Sequence, residues 1–159
     1  HYSRGDLERA RALHEANLQR ARELGFKEPE AGTLGSLSII AGDQGRAEDA
    51  VLLARENVSL ARDLGSLQEI AQSLCRAADV LARFRRKADA SARLLSCFEG
   101  LRERIGVSEA WVARMNEETL AEIRRQLDEP AFAEAWERGR ELTVHEAVEL
   151  ALEELAQPG

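Results

Sequence analysis

Aromatic residues and prolines are scarce in this chain. Aromatics make up 4% of its 159 residues, although hydrophobic residues in total reach 44%. The core must therefore be built mainly from Leu, Ala, Ile and Val, which favours closely packed helices over folds that depend on aromatic packing. Only three prolines occur, and two of them, Pro29 and Pro130, lie where a helix could begin.

Long apolar runs, paired cysteines and metal-ligand spacings are missing as well. No run approaches the roughly 18 residues that cross a bilayer. Cys75 and Cys97 are the only cysteines, and two thiols 22 residues apart do not form a disulfide framework. They predict small buried residues in the reducing cytoplasm. His14 and His145 lie far from both, so no metal site and no other cofactor is expected.

Negative charge is concentrated in the last third of the chain. The net charge is −7; residues 1–106 carry 16 acids and 17 bases, whereas residues 107–159 carry 13 acids and 5 bases. An acidic chain without a basic stripe is not expected to bind nucleic acid by itself. One basic cluster, Arg83 with Arg85, Arg86 and Lys87, falls in a predicted turn. A solvated turn is its expected role, and a phosphate site is the alternative.

What the chain does contain is an internal repeat. Nine positions in residues 5–25 are identical to the positions 40 residues later, in residues 45–65. A fixed period of this size indicates stacked structural units, none of which can bury its apolar face alone. The matching pairs are Gly5/Gly45, Glu8/Glu48, Ala10/Ala50, Leu13/Leu53, Asn17/Asn57, Ala21/Ala61, Arg22/Arg62, Leu24/Leu64 and Gly25/Gly65.

Apolar spacings of three to five residues predict that the repeats are helical. Glycines at 25, 65 and 106 are expected to end helices, and Ser108 and Thr143 are expected to begin them, Thr143 in a capping box with Glu146. The domain is thus expected to have repeats over 1–106, with a truncated first unit, and a helical cap over 107–159. The predicted helices cover about 6–24, 30–41, 46–64, 67–84, 87–105 and 108–127, followed by one from Pro130 and one from Thr143.

The same pattern predicts which residues are buried. A unit truncated at the N-terminal end would leave an apolar face, including Leu7 and Leu18, open to solvent and would favour weak homodimerisation through that end. Trp111 and Trp136 are expected to anchor packing in the cap, and a ligand cage is their alternative role. The predicted buried positions are Ala10, Leu13, Ala50, Leu53, Leu74, Leu94 and Leu95.

The steps from Gly45 to Ala50 and Leu53 resemble the turn and second helix of tetratricopeptide repeats. The unit is about 40 residues long rather than 34, and Leu34 and Ala41 occupy the places of the usual Trp and Tyr. The resemblance implies an all-α fold, a right-handed superhelical stack of helical hairpins with a C-terminal helical cap.

Long units of this kind resemble the C-terminal repeat domains of large bacterial regulators, such as LuxR-type ATP-dependent activators and antibiotic regulatory proteins. The step from Phe132 to Trp136 and Gly139 is similar to the end of many such proteins. This resemblance implies a module of a signal-transduction or transcriptional regulator that binds a protein segment or a small-molecule effector. Their nucleotide-binding loop and DNA-recognition helix have no counterpart here.

In tetratricopeptide-like stacks the first helix of each unit faces the concave side, and this register selects a candidate groove. An ordinary intrahelical ion pair is the alternative role for Asp79 and Arg83, which are four residues apart. The groove residues predicted in this way are Gly35, Ile39, Asp43, Gln72, Cys75, Asp79 and Arg83.

Catalysis is not expected. Neighbouring acids such as Glu117 and Glu118 point about 100° apart on a helix and are poorly placed to share a substrate. Ser59, Ser73 and Ser91 have no histidine within helical reach, so a hydrolase triad is not supported. The sequence therefore predicts a non-enzymatic binding module. The alternative is a structural or self-association scaffold that positions other domains.

Overall fold

A computed structural model describes residues 3–106 and 110–158, and this part of the chain is entirely helical, without strands. The predicted all-α class is thereby confirmed. Eight helices lie in the described ranges: α1 Arg4–Leu24, α2 Lys27–Asp43, α3 Ala47–Leu64, α4 Leu67–Arg85, α5 Ala88–Ile105, α6 Ala110–Gln126, α7 Glu129–Glu141 and α8 Val144–Ala156.

The predicted helix ends are confirmed where the sequence supplies a cap. Gly25, Gly65 and Gly106 each follow the last helical residue in the left-handed region, with φ of 71°, 68° and 72°, a conformation that costs glycine nothing. Thr143 forms the predicted capping box with Glu146 at the start of α8. The predicted cap Ser108 lies outside the described residues.

The first five helices pack in chain order, each against the next, and α4 is the centre of the molecule. Helices α2, α3, α5, α6 and α8 all contact it. As a result, every residue from 70 to 82 is buried. The small side chains in this stretch allow so many helices to approach a single one.

The C-terminal helices extend and cover this arrangement. Helix α6 lies on α4 and α5, and α7 lies on α5. Gly139 makes the second contact close, because a Cβ at this position would overlap the backbone of Arg93. Helix α8 turns back and packs against α3, α4 and α5. Lys87 at the start of α5 holds it through an ion pair with Glu154, 2.6 Å long.

The predicted core is confirmed at Ala50, Leu74, Leu94 and Leu95, which are buried. Ala10 and Leu53 are only half-buried.

Two predictions about α1 are wrong. Leu13 is 62% exposed, whereas Leu18, expected to be open to solvent, is buried against Leu34 and Leu37. The reason is that α1 packs chiefly against α2, and the face turned toward α2 is the one with Leu18 and Ala21. No helix among the described residues has the length and apolar character needed to cross a membrane.

Candidate functional site

A groove of about 380 Å³ opens between α1, α2, α4 and α6. Its volume is in the range of small-ligand sites. Residues of α2 and α4 line it together with residues from the first halves of α1 and α6, which are called the groove walls. The lining residues are Leu7, Ala10, His14, Ser36, Ile39, Ile40, Asp43, Asp79, Arg83, Trp111, Arg114, Met115 and Glu118.

One part of the groove lining is apolar. Ile39 and Ile40 come from α2, Leu7 from α1, and Met115 from α6. Met115 is the only methionine in the chain, and its flexible thioether side chain can adapt to ligands of different shape.

Arg83 organises the polar part. Its Nη1 lies 3.1 Å from Oδ2 of Asp79 and 3.8 Å from Oδ1 of Asp43, and its Nη2 donates to the Gly42 carbonyl oxygen at 3.2 Å. The Thr119 hydroxyl lies 3.2 Å from the other Asp79 oxygen, Oδ1. The guanidinium is therefore held by two helices. Asp79 and Arg83 therefore have both of the roles considered from the sequence: they form an intrahelical ion pair, and this ion pair lines the groove.

The two aspartates are hard to keep charged in this environment. Burial raises the pKa of Asp79, and Arg83 only partly opposes the effect. The pKa of Asp43 is raised as well, first by burial and then by the negative charge of Glu118 across the groove, again against the influence of Arg83. The groove lining thus has three carboxylates, Asp43, Asp79 and Glu118, against two guanidinium groups, Arg83 and Arg114.

Four of the seven predicted groove residues, Ile39, Asp43, Asp79 and Arg83, line this groove.

The other three predicted residues lie elsewhere. Gly35 is buried where α2 meets α4, and a Cβ there would overlap the Arg76 guanidinium. Gln72 is buried, and Cys75 is fully buried beneath α6, with Nδ2 of Asn116 at 3.6 Å from its Sγ. Burial raises the pKa of the Cys75 thiol, so it is not a reactive nucleophile.

Sequence reasoning missed the walls of the groove. The residues from α1 and α6 were not assigned to it, and the expected role of Trp111 was to anchor packing in the cap. A signal was present, since residues of α2, α4 and α6 meet at the repeat spacing. Arg83 bonds Gly42 at a separation of 41, Asn116 approaches Cys75 at 41, and Thr119 approaches Asp79 at 40.

Behind the groove, Arg76 connects three helices. Its Nη1 donates to Oδ1 of Asn57 at 3.2 Å, and Nδ2 of Asn57 donates to the Ala31 carbonyl oxygen at 2.9 Å. The guanidinium also lies 5.1 Å from the centre of the Trp111 ring, a cation–π distance. This network fixes the position of Trp111 in the groove wall.

A second cavity, of about 550 Å³, lies between α5 and the three C-terminal helices. Trp136 and Cys97 line it, together with Glu103, Arg104 and Arg140. These three charged residues are exposed, as are Arg83 and Asp43 of the groove. The groove differs in having a buried carboxylate, Asp79, that is ion-paired with Arg83. We therefore regard the groove as the better candidate site, because positioned polar groups give a site its specificity.

The predicted basic turn is occupied by ion pairs. Nη2 of Arg85 lies 2.9 Å and 3.0 Å from the two carboxylate oxygens of Glu48. Lys87 pairs with Glu154 on α8, and Arg83 belongs to the groove.

Within residues 3–106 and 110–158, no group of His, Cys, Asp and Glu side chains is placed to hold a metal ion. Comparisons with models of protein families, with curated proteins and with solved structures found no match to this chain.

Proposed function

We propose that this chain is a non-enzymatic binding module, part of a bacterial signal-transduction or transcriptional regulator. In this proposal the helices form a right-handed, tetratricopeptide-like stack, and the groove takes a protein segment or a small-molecule effector. The sequence resemblance supports the regulator context. The contacts between residues 40 or 41 apart on α2, α4 and α6 support the stack.

The observation that carries the proposal is a groove lining that combines apolar side chains with three carboxylates and two guanidinium groups. Asp43 and Glu118 belong to different helices and repel each other across the groove. A bound cationic group between them would relieve this repulsion, while an apolar body would cover Ile39 and Met115. We therefore propose ligands with an apolar body and a cationic group, such as a segment with a lysine among apolar residues.

A binding role is favoured over catalysis by the state of the polar groups. The carboxylates of Asp79 and Asp43 are engaged by Arg83, and the Ser36 hydroxyl donates to the Gly32 carbonyl oxygen at 3.2 Å. Groups held in this way position a ligand but are not poised to attack one.

The test uses three probes with the same six-carbon chain: hexylammonium, hexanol and hexanoate. The single methionine, labelled with ¹³C in its methyl group, reports entry to the groove. Incorporated 5-fluorotryptophan gives one signal from Trp111 in the groove and one from Trp136 in the second cavity. We expect hexylammonium to shift the Met115 and Trp111 signals saturably in the millimolar range, hexanol more weakly, and hexanoate least.

Glu118→Gln is the matched variant, because it keeps the shape of the side chain and removes its charge. It should weaken hexylammonium binding several-fold and leave hexanol unchanged. Equal binding of hexylammonium and hexanoate would contradict the charge preference. Shifts confined to Trp136 would contradict the choice of groove.

The alternative function, a structural or self-association scaffold, is favoured by a separate observation. Leu13, Leu24 and Phe26 are all more than half exposed at the α1 end of the molecule. This alternative predicts a weak homodimer through that end. Sedimentation velocity over a concentration series, with Leu13→Glu as the comparison, would detect it.

A further inference from the structure

Equivalent residues of α1 and α3 lie in different surroundings. Asn57 is fully buried, whereas Asn17, its counterpart 40 residues earlier, is exposed. Leu53 is half-buried, whereas Leu13 is 62% exposed. The same side chains therefore occur at equivalent positions of the two helices. They are protected from solvent in α3 and exposed to it in α1.

Helix α2 is what covers these residues in α3. Nδ2 of Asn57 donates to the carbonyl oxygen of Ala31, at 2.9 Å. The Ser38 hydroxyl donates to the carbonyl oxygen of Ala50, also at 2.9 Å.

The leucines on this side of α3 make the apolar part of the contact. Leu53 and Leu60 pack against Leu34 and Leu37 of α2. Apart from Oδ1 of Asn57, which accepts from Arg76 of α4, these polar and apolar groups of α3 meet matching groups of α2.

The corresponding residues of α1 contribute little to the stability of the chain by themselves. Asparagine in an exposed helix interior is less favourable than alanine by roughly half a kcal/mol, and exposed leucines gain nothing from burial. Leu24, whose counterpart Leu64 is half-buried, is 54% exposed. A helix contact that matches the α2–α3 contact explains why these three residue types occur at these positions.

One position differs in a way that specifies the partner further. Arg20 replaces Leu60 at the same spacing. A partner helix that packed a leucine against this position would leave the guanidinium facing an apolar surface, whereas a carboxylate would pair with it. The expected partner is therefore not a strict copy of α2 but an acidic version of it.

We propose that Leu13, Asn17 and Leu24 form a docking surface, the α1 outer face, for an apolar helix with the chemistry of α2. That helix presents a small residue whose carbonyl oxygen accepts from Asn17. Leucines follow three and six positions after this small residue, and a residue with a hydroxyl group follows the second leucine directly. An acidic residue lies opposite Arg20. The proposal does not depend on a ligand in the groove.

The test adds such a helix to the full chain. A copy of residues 27–44 replaces residues 1–4, so that it leads into Gly5 as Gln44 leads into Gly45. Asn17→Ala is then made in the parent chain and in the extended chain. We expect the extension to raise the Tm, and Asn17→Ala to lower it by about 2–4 °C in the extended chain and not in the parent.

Two controls sharpen the comparison. Gln19→Ala removes another exposed amide of α1, two residues and therefore about 200° around the helix from Asn17, and it should change the Tm equally in both chains. A carboxylate introduced into the added helix opposite Arg20 should raise the Tm further. The fluorine signals of Trp111 and Trp136 report whether the core is intact.

Three outcomes would overturn the proposal. The first is an extension that leaves the Tm unchanged or unfolds the core, since the added helix would then not fit the face. The second is an equal effect of Asn17→Ala in both chains. The third is a parent chain that dimerises and is made monomeric by Leu13→Glu, which would assign the α1 outer face to a second copy.

Discussion

Helices α1 and α4 lie at opposite extremes of burial although both are long and rich in Ala, Leu and Arg. Five helices contact α4, and residues 70 to 82 are all buried. Helix α1 packs chiefly against α2, and among its residues only Leu18 and Ala21 are buried. The apolar pattern of a helix therefore indicates which side can be buried. The number of neighbouring helices determines how much of the helix is buried.

The largest expected effect is a difference between two leucine truncations. Leu74→Ala, in α4, removes a fully buried side chain and leaves a cavity among closely packed helices. It should lower the free energy of unfolding by about 2–5 kcal/mol. Leu13→Ala, in α1, should change it by less than about 0.5 kcal/mol because the side chain is already in water.

Urea unfolding followed by circular dichroism measures both values. Similar losses for the two variants would mean that α1 is covered in solution, by a second copy or by another arrangement of the helix. That result would remove the contrast between the two helices.

The next largest effect is expected for two glycines of α2. Replacing one of them with alanine should lower the stability, whereas replacing the other should raise it. Gly35 faces α4, and a Cβ there would overlap the guanidinium of Arg76, which would have to leave Asn57 and Trp111. Gly35→Ala should therefore cost about 1–3 kcal/mol. No atom lies within 4 Å of a Cβ at Gly32, so Gly32→Ala should stabilise the protein by about 0.5–1 kcal/mol.

Thermal unfolding of the two alanine variants is the measurement. By the space around the two glycines, only Gly35 is required for a close approach between helices. If both variants were stabilised, the α2–α4 contact would be looser than described, and α4 would be less enclosed.

The smallest expected effect is a pH dependence in the buried helix. The pKa of Asp79 is raised by burial, against the opposing influence of Arg83. The folded protein therefore holds this proton more tightly than the unfolded chain does. Relative to Asp79→Asn, the wild type should lose stability as pH rises from the ordinary aspartate value through the folded pKa, and the difference should level off above it.

Unfolding by urea between pH 3.5 and 7, with both proteins under the same conditions, isolates this contribution. Asp43→Asn is the comparison variant. The pKa of Asp43 is also raised, but its side chain is more exposed than that of Asp79. A wild type that gains stability over Asp79→Asn with rising pH would mean that the Arg83 ion pair outweighs burial.

Much of the fold could be predicted because its signals are local. Gly25 and Gly65 end helices through a backbone conformation that glycine adopts easily, and the capping box at Thr143 needs only the residues of one turn. The groove could be predicted in part, because the repeat register selected Asp43, Asp79 and Arg83.

The rest depends on which helices meet, and that is not local. The exposure of Leu13 could not be predicted from a pattern that is the same around Leu53. Met115 and Glu118 were not assigned to the groove because the side-chain identities of the repeat do not continue into α6, although its contacts with α4 keep the spacing of 40 or 41 residues. Long-range packing decides both cases, and it overrides what the repeat predicts for a single helix.

The return of α8 to the middle of the chain has a consequence for synthesis on the ribosome. Helices α3, α4 and α5 emerge well before α8, so the surface that later covers Val148, Ala151 and Leu155 stays open while more than forty residues are still being added. Domains generally fold in the order in which they emerge, and exposed apolar surface invites premature contacts. Arg62 and Lys87 lie at this surface and gain their partners Glu149 and Glu154 only when α8 packs.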